Sequence, residues 1–246
     1  MNRRQFLAAA AAMGVAPSAL AFGDANLVNI AELDVPGTLA RPNAWKRLLY
    51  DVVNTTSVEC DTDVPRIAPS APTLFDHPFA VLLGGERFTQ PTAEGMEQLS
   101  RYLSYGGFLL IDDTSGAEDS DFDASVRTLC ASLFPTRPLS PIPADHSVFR
   151  SFFLLDAPLG RVDRYAYLEG ITVGNVAPVL YCRNDLSGAL ERGDDGRARY
   201  PVVPGGERQR REALKLGINL VMYSLTANYK KDQVHVRRLM MERRLE

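Results

Sequence analysis

The sequence has few of the residues from which catalytic and metal centres are usually built. Its 246 residues include only 3 cysteines, 3 histidines and 1 tryptophan. No two cysteines form a CxxC pair, so the spacing of a zinc knuckle or a thioredoxin-type redox site is lacking. The chain also lacks GxSxG, GxxxxGK[ST], GxGxxG and HExxH motifs. These absences argue against a serine hydrolase elbow, a phosphate-binding loop, a dinucleotide site and a zinc protease.

The composition shows no sign of an unusual class of protein. The chain has 18 glycines and 16 prolines, with 23% charged and 46% hydrophobic residues. These values exclude collagen-like, low-complexity and intrinsically disordered chains and predict one sizeable hydrophobic core. The formal net charge of −3 provides no basic field, so we expect no nucleic-acid partner.

The N-terminus predicts export. Arg3-Arg4-Gln5-Phe6-Leu7 is followed by an Ala-rich run over residues 8–16 and then by Ser18-Ala19-Leu20-Ala21. This order is typical of a signal peptide over residues 1–21, cleaved near Ala21, and the apolar run is too short for a permanent anchor. The paired arginines favour the twin-arginine type, hence a periplasmic protein, with a general secretory signal as the alternative.

The three cysteines leave the disulfide status open. Cys60, Cys130 and Cys182 would reach an oxidising compartment, but an odd number leaves at least one thiol unpaired. Cys130 lies in an apolar helical pattern, which predicts a core position.

The pattern of apolar residues predicts an α/β fold with a mainly parallel sheet covered on both faces, because buried strands alternate with amphipathic helices. In the first half the predicted elements are a helix over residues 42–53, a strand over 57–60, a strand over 79–83, a helix capped by Thr92, a strand over 108–111 and a helix over 122–133. The second half has a Pro-rich loop over residues 135–143, β-rich stretches over 147–155, 166–173 and 176–182, and a helix over 207–225 with Leu214, Ile218, Val221, Met222 and Leu225 on one face.

A single α/β domain is predicted for residues 22–228, followed by a basic tail over 229–246. From Lys230 onward the tail has six basic and three acidic residues, and we expect it to be helical. It is either a solvated surface helix or a docking segment for acidic lipid headgroups or a partner protein.

The predicted ends of the strands provide candidate site residues, since ligands of open α/β sheets bind there. Gly84-Gly85 would let a ligand approach the backbone closely. In Asp112-Asp113, one carboxylate could act as an acid–base group or metal ligand while the other caps the next helix, or both could be capping or solvated.

Two further clusters complete the candidates. Asp145-His146 could be a catalytic base with its orienting carboxylate, a metal ligand, or part of an ordinary loop. Arg183-Asn184-Asp185 is the densest polar cluster beside a buried strand, and it predicts either a pocket wall or a turn in which Arg183 pairs with Asp185. Glu169 could add a further acid.

Taken together, several segments resemble the bacterial family catalogued as domain of unknown function 4159, over about residues 26–226. The segments are Trp45-Lys46-Arg47-Leu48-Leu49, Thr56-Ser57-Val58-Glu59, Gly106-Gly107-Phe108-Leu109, Asp112-Asp113, Leu133-Phe134-Pro135, Asp145-His146 with Phe149, Leu168-Glu169-Gly170, Arg183-Asn184-Asp185 and Leu216-Gly217 with Asn219.

The resemblance implies a flavodoxin-like three-layer α/β sandwich similar to class I glutamine amidotransferases. It also implies a cell-envelope setting beside membrane-anchored proteins, and no established activity. Ser147 stands where the family usually has proline after Asp-His. The strand exits at Gly84-Gly85 and Asp112-Asp113 have no cysteine, so the resemblance does not imply amidotransferase activity for this chain.

These observations support two main hypotheses. The first is an exported envelope protein that binds a small polar ligand or a partner at the strand ends and lacks the nucleophile. The second is a hydrolase or metal-assisted enzyme whose acids and His146 converge on one cavity. A third possibility is an assembly subunit that uses the basic tail. The sequence indicates no particular cofactor or metal.

Overall fold

A seven-stranded sheet forms the centre of the fold in the computed structural model, which describes the backbone of residues 27–242 and the side chains of residues 27–226. The predicted signal peptide, residues 1–21, and the side chains of the basic tail lie outside the described residues. The sheet order is β2-β1-β3-β4-β7-β6-β5. The strands are β1 Ile30–Leu33, β2 Arg66–Ile67, β3 Phe79–Gly84, β4 Phe108–Asp113, β5 Ser140–Pro141, β6 Glu169–Val173 and β7 Val176–Cys182.

Most strand pairs are parallel. β2, β1, β3, β4 and β7 run in one direction, while β6 pairs antiparallel with both β7 and β5. The carboxyl ends of the five parallel strands therefore meet at one edge of the sheet, called here the carboxyl edge. Because β6 runs the other way, its first residue, Glu169, also lies at this edge, opposite Tyr181.

Helices cover both faces of the sheet. They are α1 Pro42–Thr55, α2 Ala93–Ser104, α3 Asp121–Leu133, α4 Leu186–Leu190 and α5 Gly206–Glu242, with 3-10 turns over Pro72–Asp76 and Ser147–Arg150. Apolar residues of α1, α4 and α5 form the core on one face, and those of α2 and α3 form the core on the other. The fold is the predicted α/β class, a flavodoxin-like three-layer sandwich.

Local signals place α2 and α3 as expected. The Thr92 hydroxyl accepts the N–H of Gly95 at 3.2 Å and the Ser120 hydroxyl accepts that of Asp123 at 3.0 Å. Such N-caps satisfy backbone donors that a helix leaves unpaired. After α2, Gly106 has a φ of 114°, a conformation that favours glycine and ends the helix.

The structure differs from the predicted strands in several places. β2 and β5 were not predicted, and β5 lies within the predicted loop over residues 135–143, because each strand has only two residues. β1 was not predicted, because its four residues include Glu32, whose buried carboxylate accepts hydrogen bonds from residues 41 and 45. Residues 57–60 form only an isolated bridge between Cys60 and Val28. Residues 147–155 form a 3-10 turn and bends, because the Asn219 side chain hydrogen-bonds their backbone in place of a neighbouring strand.

α5 is longer and more deeply enclosed than predicted. Its backbone extends to Glu242, and Ala213, Leu216 and Leu220 are fully buried although they lie outside the predicted apolar face. Leu214 and Met222, which belong to that face, are only half-buried. The reason is that α1 and α4 pack against one side of α5 and the 3-10 turn over Ser147–Arg150 packs against another. Within the described residues, no helix has the length and apolarity required to cross a bilayer.

Candidate functional site

Asp112 and Asp113, the last residues of β4, point to opposite faces of the sheet. β4 continues through Asp113, so neighbouring side chains alternate between the faces. Asp112 contacts α4, whereas Asp113 contacts Ser120 at the start of α3. Both aspartates are fully buried. They therefore cannot act together in one site.

Asp112 holds the start of α4. Its Oδ1 accepts the N–H of Leu186 and its Oδ2 accepts that of Ser187, both at 2.8 Å. Burial, with the nearby charge of Asp185 as the second cause, raises the pKa of Asp112 to about 6. Because both oxygens accept backbone donors, the side chain performs the capping role that the sequence left as an alternative.

Asp185 lies between two arginines directly after β7. Its Oδ1 accepts a hydrogen bond from Arg41 at 2.5 Å, and its Oδ2 accepts one from Nε of Arg161. The residue has a φ of 54°, and its Oδ1 also accepts the N–H of Gly188 at 2.9 Å. The two arginines and the backbone N–H together compensate for the desolvation of this buried carboxylate. The predicted pairing of Asp185 with Arg183 does not occur, since Arg41 and Arg161 take that place.

Asp113 belongs to a separate hydrogen-bonded group on the other face. Its Oδ2 accepts from the Ser120 hydroxyl at 2.6 Å and from the Tyr181 hydroxyl at 3.3 Å, and its Oδ1 accepts the N–H of Ser115 at 2.9 Å. These bonds join the ends of β4 and β7 to the start of α3. No lone pair of Asp113 is turned toward solvent, because the residue is fully buried.

Arg183 and Glu169 lie on this same face and are connected through α3. The Arg183 guanidinium lies 4.2 Å from the centre of the Tyr165 ring and 3.7 Å from Asp123. Arg127 binds Asp123 at 2.8 Å and Glu169 at 3.0 Å. The structure thus brings Arg183 and Glu169 into one network of ion pairs, although the two side chains do not contact each other directly.

Asn184 is fully used by the fold. Its amide NH₂ donates to the carbonyls of Pro158 and Tyr165 at 2.8 and 2.7 Å, and its Oδ1 accepts the N–H groups of Arg164 and Tyr165 at 3.1 and 3.0 Å. Gly160 allows this contact, since a Cβ there would lie 2.0 Å from the backbone oxygen of Asn184. Asn184 therefore fixes the loop over residues 158–165 and has no free polar atom for a ligand.

Asp145 and His146 lie near the opposite edge of the sheet. The His146 ring packs on Tyr223, with centroids 5.3 Å apart, and the Tyr223 hydroxyl accepts the N–H of Ala177 at the start of β7. His146 Nδ1 accepts the N–H of Val148, and burial lowers the pKa of this histidine. The remaining length of β7, from Ala177 to its carboxyl end, spans about 17 Å.

The catalytic candidates therefore lie apart from one another in the structure. Asp145 and His146 are separated from the carboxyl edge by the length of β7, and the acids at that edge lie on two faces of the sheet. None of the four cavities found among the described residues is lined by a catalytic candidate, so this geometry does not favour the acid–base hypothesis.

An open cleft lies over the carboxyl ends of β3 and β4. It has a volume of about 390 Å³ and is lined by Gly85, Glu86, Ser115, Ala117, Asp119, Ser120 and Asp121. Gly85 is the one residue of the predicted ligand-binding set on this lining. Gly84 instead packs against α3, where an added Cβ would lie 2.7 Å from the Phe122 ring.

The crevice beside this cleft is closed. The strand order reverses between β1 and β3, which is where open α/β sheets usually bind ligands. Here the loop after β1 bonds to the loop after β3, through Thr89 N–H to the Pro36 carbonyl at 2.9 Å, and to β3 itself, through Leu39 N–H to the Leu83 carbonyl at 2.8 Å. The space open to a ligand is consequently displaced by one strand, to β3 and β4.

A larger cavity, of about 460 Å³, lies elsewhere, between residues 155–163 and the start of α5. None of the predicted site residues lines it. Among the described residues, no group of three or more His, Cys, Asp and Glu side chains is arranged to hold a metal ion.

The thiols are also poorly placed for nucleophilic chemistry. Cys130 and Cys182 are buried and Cys60 is half-buried, and none forms a disulfide. Burial raises the pKa of Cys60 to about 11 and that of Cys182 well above its usual value. A reactive cysteine needs the opposite shift.

Sequence reasoning missed three residues that shape the carboxyl edge. Arg41 and Arg161 hold Asp185, while Glu32 accepts the backbone N–H of Arg41 at 2.7 Å and the Trp45 Nε1–H at 2.8 Å. Arg41 and Asp185 are 144 residues apart, so no local pattern could connect them. The one signal available in the sequence was Trp45, the single tryptophan, which contacts the unpredicted strand β1 through Glu32.

Comparison with known proteins gives one family. The model of a family described as a domain of unknown function, DUF4159, matches residues 30–225. The matched range begins at β1, runs through the whole sheet and ends within α5. No curated protein matches the chain.

Proposed function

The chain belongs to the DUF4159 family, and we propose that this member is an exported domain that binds a small polar ligand in the cleft over β3 and β4. The scaffold in this proposal resembles that of class I glutamine amidotransferases without their nucleophilic cysteine. The twin-arginine pattern at Arg3-Arg4 supports export to the periplasm.

The observation that carries the proposal is the engagement of the charged groups at the carboxyl edge. Asp112 accepts two backbone N–H groups, and Asp185 accepts bonds from two arginines. A general acid or base must be free to exchange a proton with a substrate. Because these carboxylates are engaged in holding the fold together, we favour ligand binding over catalysis as the function.

The chemistry of the cleft indicates which ligands to test. Its lining includes the carboxylates of Glu86, Asp119 and Asp121, and Arg87 neutralises only Asp121, at 3.2 Å. We therefore expect a ligand that carries an ammonium group. Exposed charges contribute little each, so close approach to the backbone at Gly85 would supply part of the affinity.

The first test measures binding of spermidine, as an ammonium probe, to the purified protein by calorimetry. We expect saturable binding that weakens at least tenfold in the double variant Glu86→Gln/Asp119→Asn. The matched control, Asp61→Asn/Asp63→Asn, removes two exposed carboxylates near Cys60, at the opposite edge of the sheet, and should bind as the parent does.

Two results would contradict the proposal. Equal weakening in both double variants, or no saturable binding at all, would mean that the cleft is not a site for this class of ligand. Turnover of ester, phosphate, peptide or glycan substrates by the purified protein would instead favour the enzyme hypothesis.

A further inference from the structure

We propose a second site, independent of the cleft, which binds a small oxyanion between α1, α4 and α5. A pocket of about 150 Å³ lies there and is lined by four arginines from three parts of the chain. They are Arg47 on α1, Arg192 after α4, and Arg210 and Arg211 on α5. Asp51 and Glu207 are the acidic residues of the lining, so its formal charge is positive by two.

Two of the arginines form the walls. Arg210 donates to Glu207 through Nε at 2.9 Å and to the carbonyls of Ala189 and Tyr200 at 2.5 and 2.8 Å. Arg47 donates through NH2 to Oδ1 of Asp51 at 2.9 Å, and its Nε lies 2.7 Å from Oδ2 in the same ion pair. These pairs also neutralise the two carboxylates of the lining, which would otherwise repel an anion.

The other two arginines supply the surplus charge. Among the residues that the structure describes, no carboxylate forms an ion pair with Arg192 or Arg211. Arg192 Nε is buried without an acceptor, and its NH1 has only a long bond of 3.4 Å to the Gly196 carbonyl. A buried donor without an acceptor is rare in folded proteins, and it is satisfied most simply by a bound acceptor.

The chemistry of these donors selects an oxyanion. Guanidinium groups match the planar spacing of carboxylate and phosphate oxygens and bind them in a bidentate manner. The first turn of α5 contributes Glu207 and Arg210 to the lining, and the N-terminal end of a helix favours negative charge. Since one water occupies about 30 Å³, a pocket of about 150 Å³ has room for about five waters, which is enough for one phosphate or carboxylate group.

The competing interpretation is a solvated basic surface in which Arg211 reaches back to Glu207 one turn earlier. Such a surface would respond to ionic strength but not to the identity of the anion. The two interpretations therefore differ in a measurable way.

The test measures binding of inorganic phosphate to the full chain by calorimetry, with acetate and chloride in separate arms at equal ionic strength. We expect saturable binding of phosphate or acetate, and none of chloride. Preference between the first two identifies the group as phosphate or carboxylate. Arg192→Gln/Arg211→Gln should weaken binding at least tenfold.

The matched control is Arg197→Gln/Arg208→Gln, which removes the same charge. Arg197 is exposed in the loop after Arg192, and Arg208 lies on α5 but lines the larger cavity. Equal loss in both double variants, or a response to chloride equal to that of phosphate, would overturn the proposal. Glu86→Gln/Asp119→Asn should bind phosphate normally, so failure of the cleft and failure of this pocket are distinguishable.

Discussion

Buried acids at the carboxyl edge make the stability of this protein depend on pH. Asp112 is fully buried, and it is held by two backbone donors rather than by direct contact with an arginine. Its desolvation is therefore only partly offset, which explains why its pKa rises to about 6 while it remains a cap.

The pKa shift of Asp112 has a definite sign. The folded protein binds this proton more tightly than the unfolded chain does, because an aspartate in the unfolded chain has a pKa of about 3.9. The stabilising contribution is complete below that value and is lost as the pH rises through about 6. We expect the free energy of unfolding to fall between pH 4 and pH 7 by about 2 kcal/mol on account of this group.

Comparison of the parent with Asp112→Asn by denaturant unfolding across this pH range tests the effect. In the variant, the free energy of unfolding should not show this part of the decline. The variant is less stable overall, because the asparagine NH₂ group cannot accept a hydrogen bond from one of the two backbone N–H groups. Burial also raises the pKa of Glu32, Asp51 and Glu191, and these contribute equally to both proteins. Parallel curves for the two proteins would refute the prediction.

At the scale of elements, the short helix α4 depends on side chains outside it. Its five residues are too few to form a stable helix alone. Asp112 accepts its first N–H groups, Asp185 caps it, and Arg210 binds the carbonyl of Ala189 near its end. The helix therefore connects β4, β7 and α5 through polar contacts.

Gly188→Ala tests this dependence. Alanine normally stabilises a helix by about 1 kcal/mol relative to glycine. At position 188 the added Cβ would lie 2.4 Å from the Asp185 carboxylate, so we expect a loss of about 2 kcal/mol through displacement of the cap.

Gly95→Ala in α2 is the matched control for that measurement. The nearest atom to its added Cβ is 3.3 Å away, on Pro91, so the free energy of unfolding should stay equal or rise slightly. If thermal or denaturant unfolding shows equal effects at both positions, the cap at Asp185 does not hold α4.

At the scale of the whole molecule, the proposed export depends on the paired arginines near the N-terminus. We expect the full chain, expressed in a bacterium with twin-arginine export, to be recovered from the periplasm after cleavage near Ala21. Arg3→Lys/Arg4→Lys should leave most of it in the cytoplasm at its full length, because the arginine pair is read by a receptor.

Cell fractionation with mass measurement checks this expectation. The conservative pair Arg237→Lys/Arg238→Lys, near the other end of the chain, should be exported normally. Export of both variants to the same extent would indicate the general secretory route, which is the alternative that the sequence left open.

The sequence by itself determined the features that depend on neighbouring residues. The amphipathic spacing around Trp45 predicted α1, the cap Thr92 predicted the start of α2, and the apolar runs at Phe79 and Phe108 predicted two central strands. From these the α/β class followed, because buried strands between helices require a sheet covered on both faces.

Only the tertiary structure decided what the polar residues do. Whether Asp185 lines a pocket or pairs with an arginine depends on Arg41, which is 144 residues away. The separation of His146 from the acids depends on the direction of β7, and the arginine pocket depends on three elements that meet only in space. Short-range patterns carry no information on such contacts, since each is fixed by the packing of the whole chain.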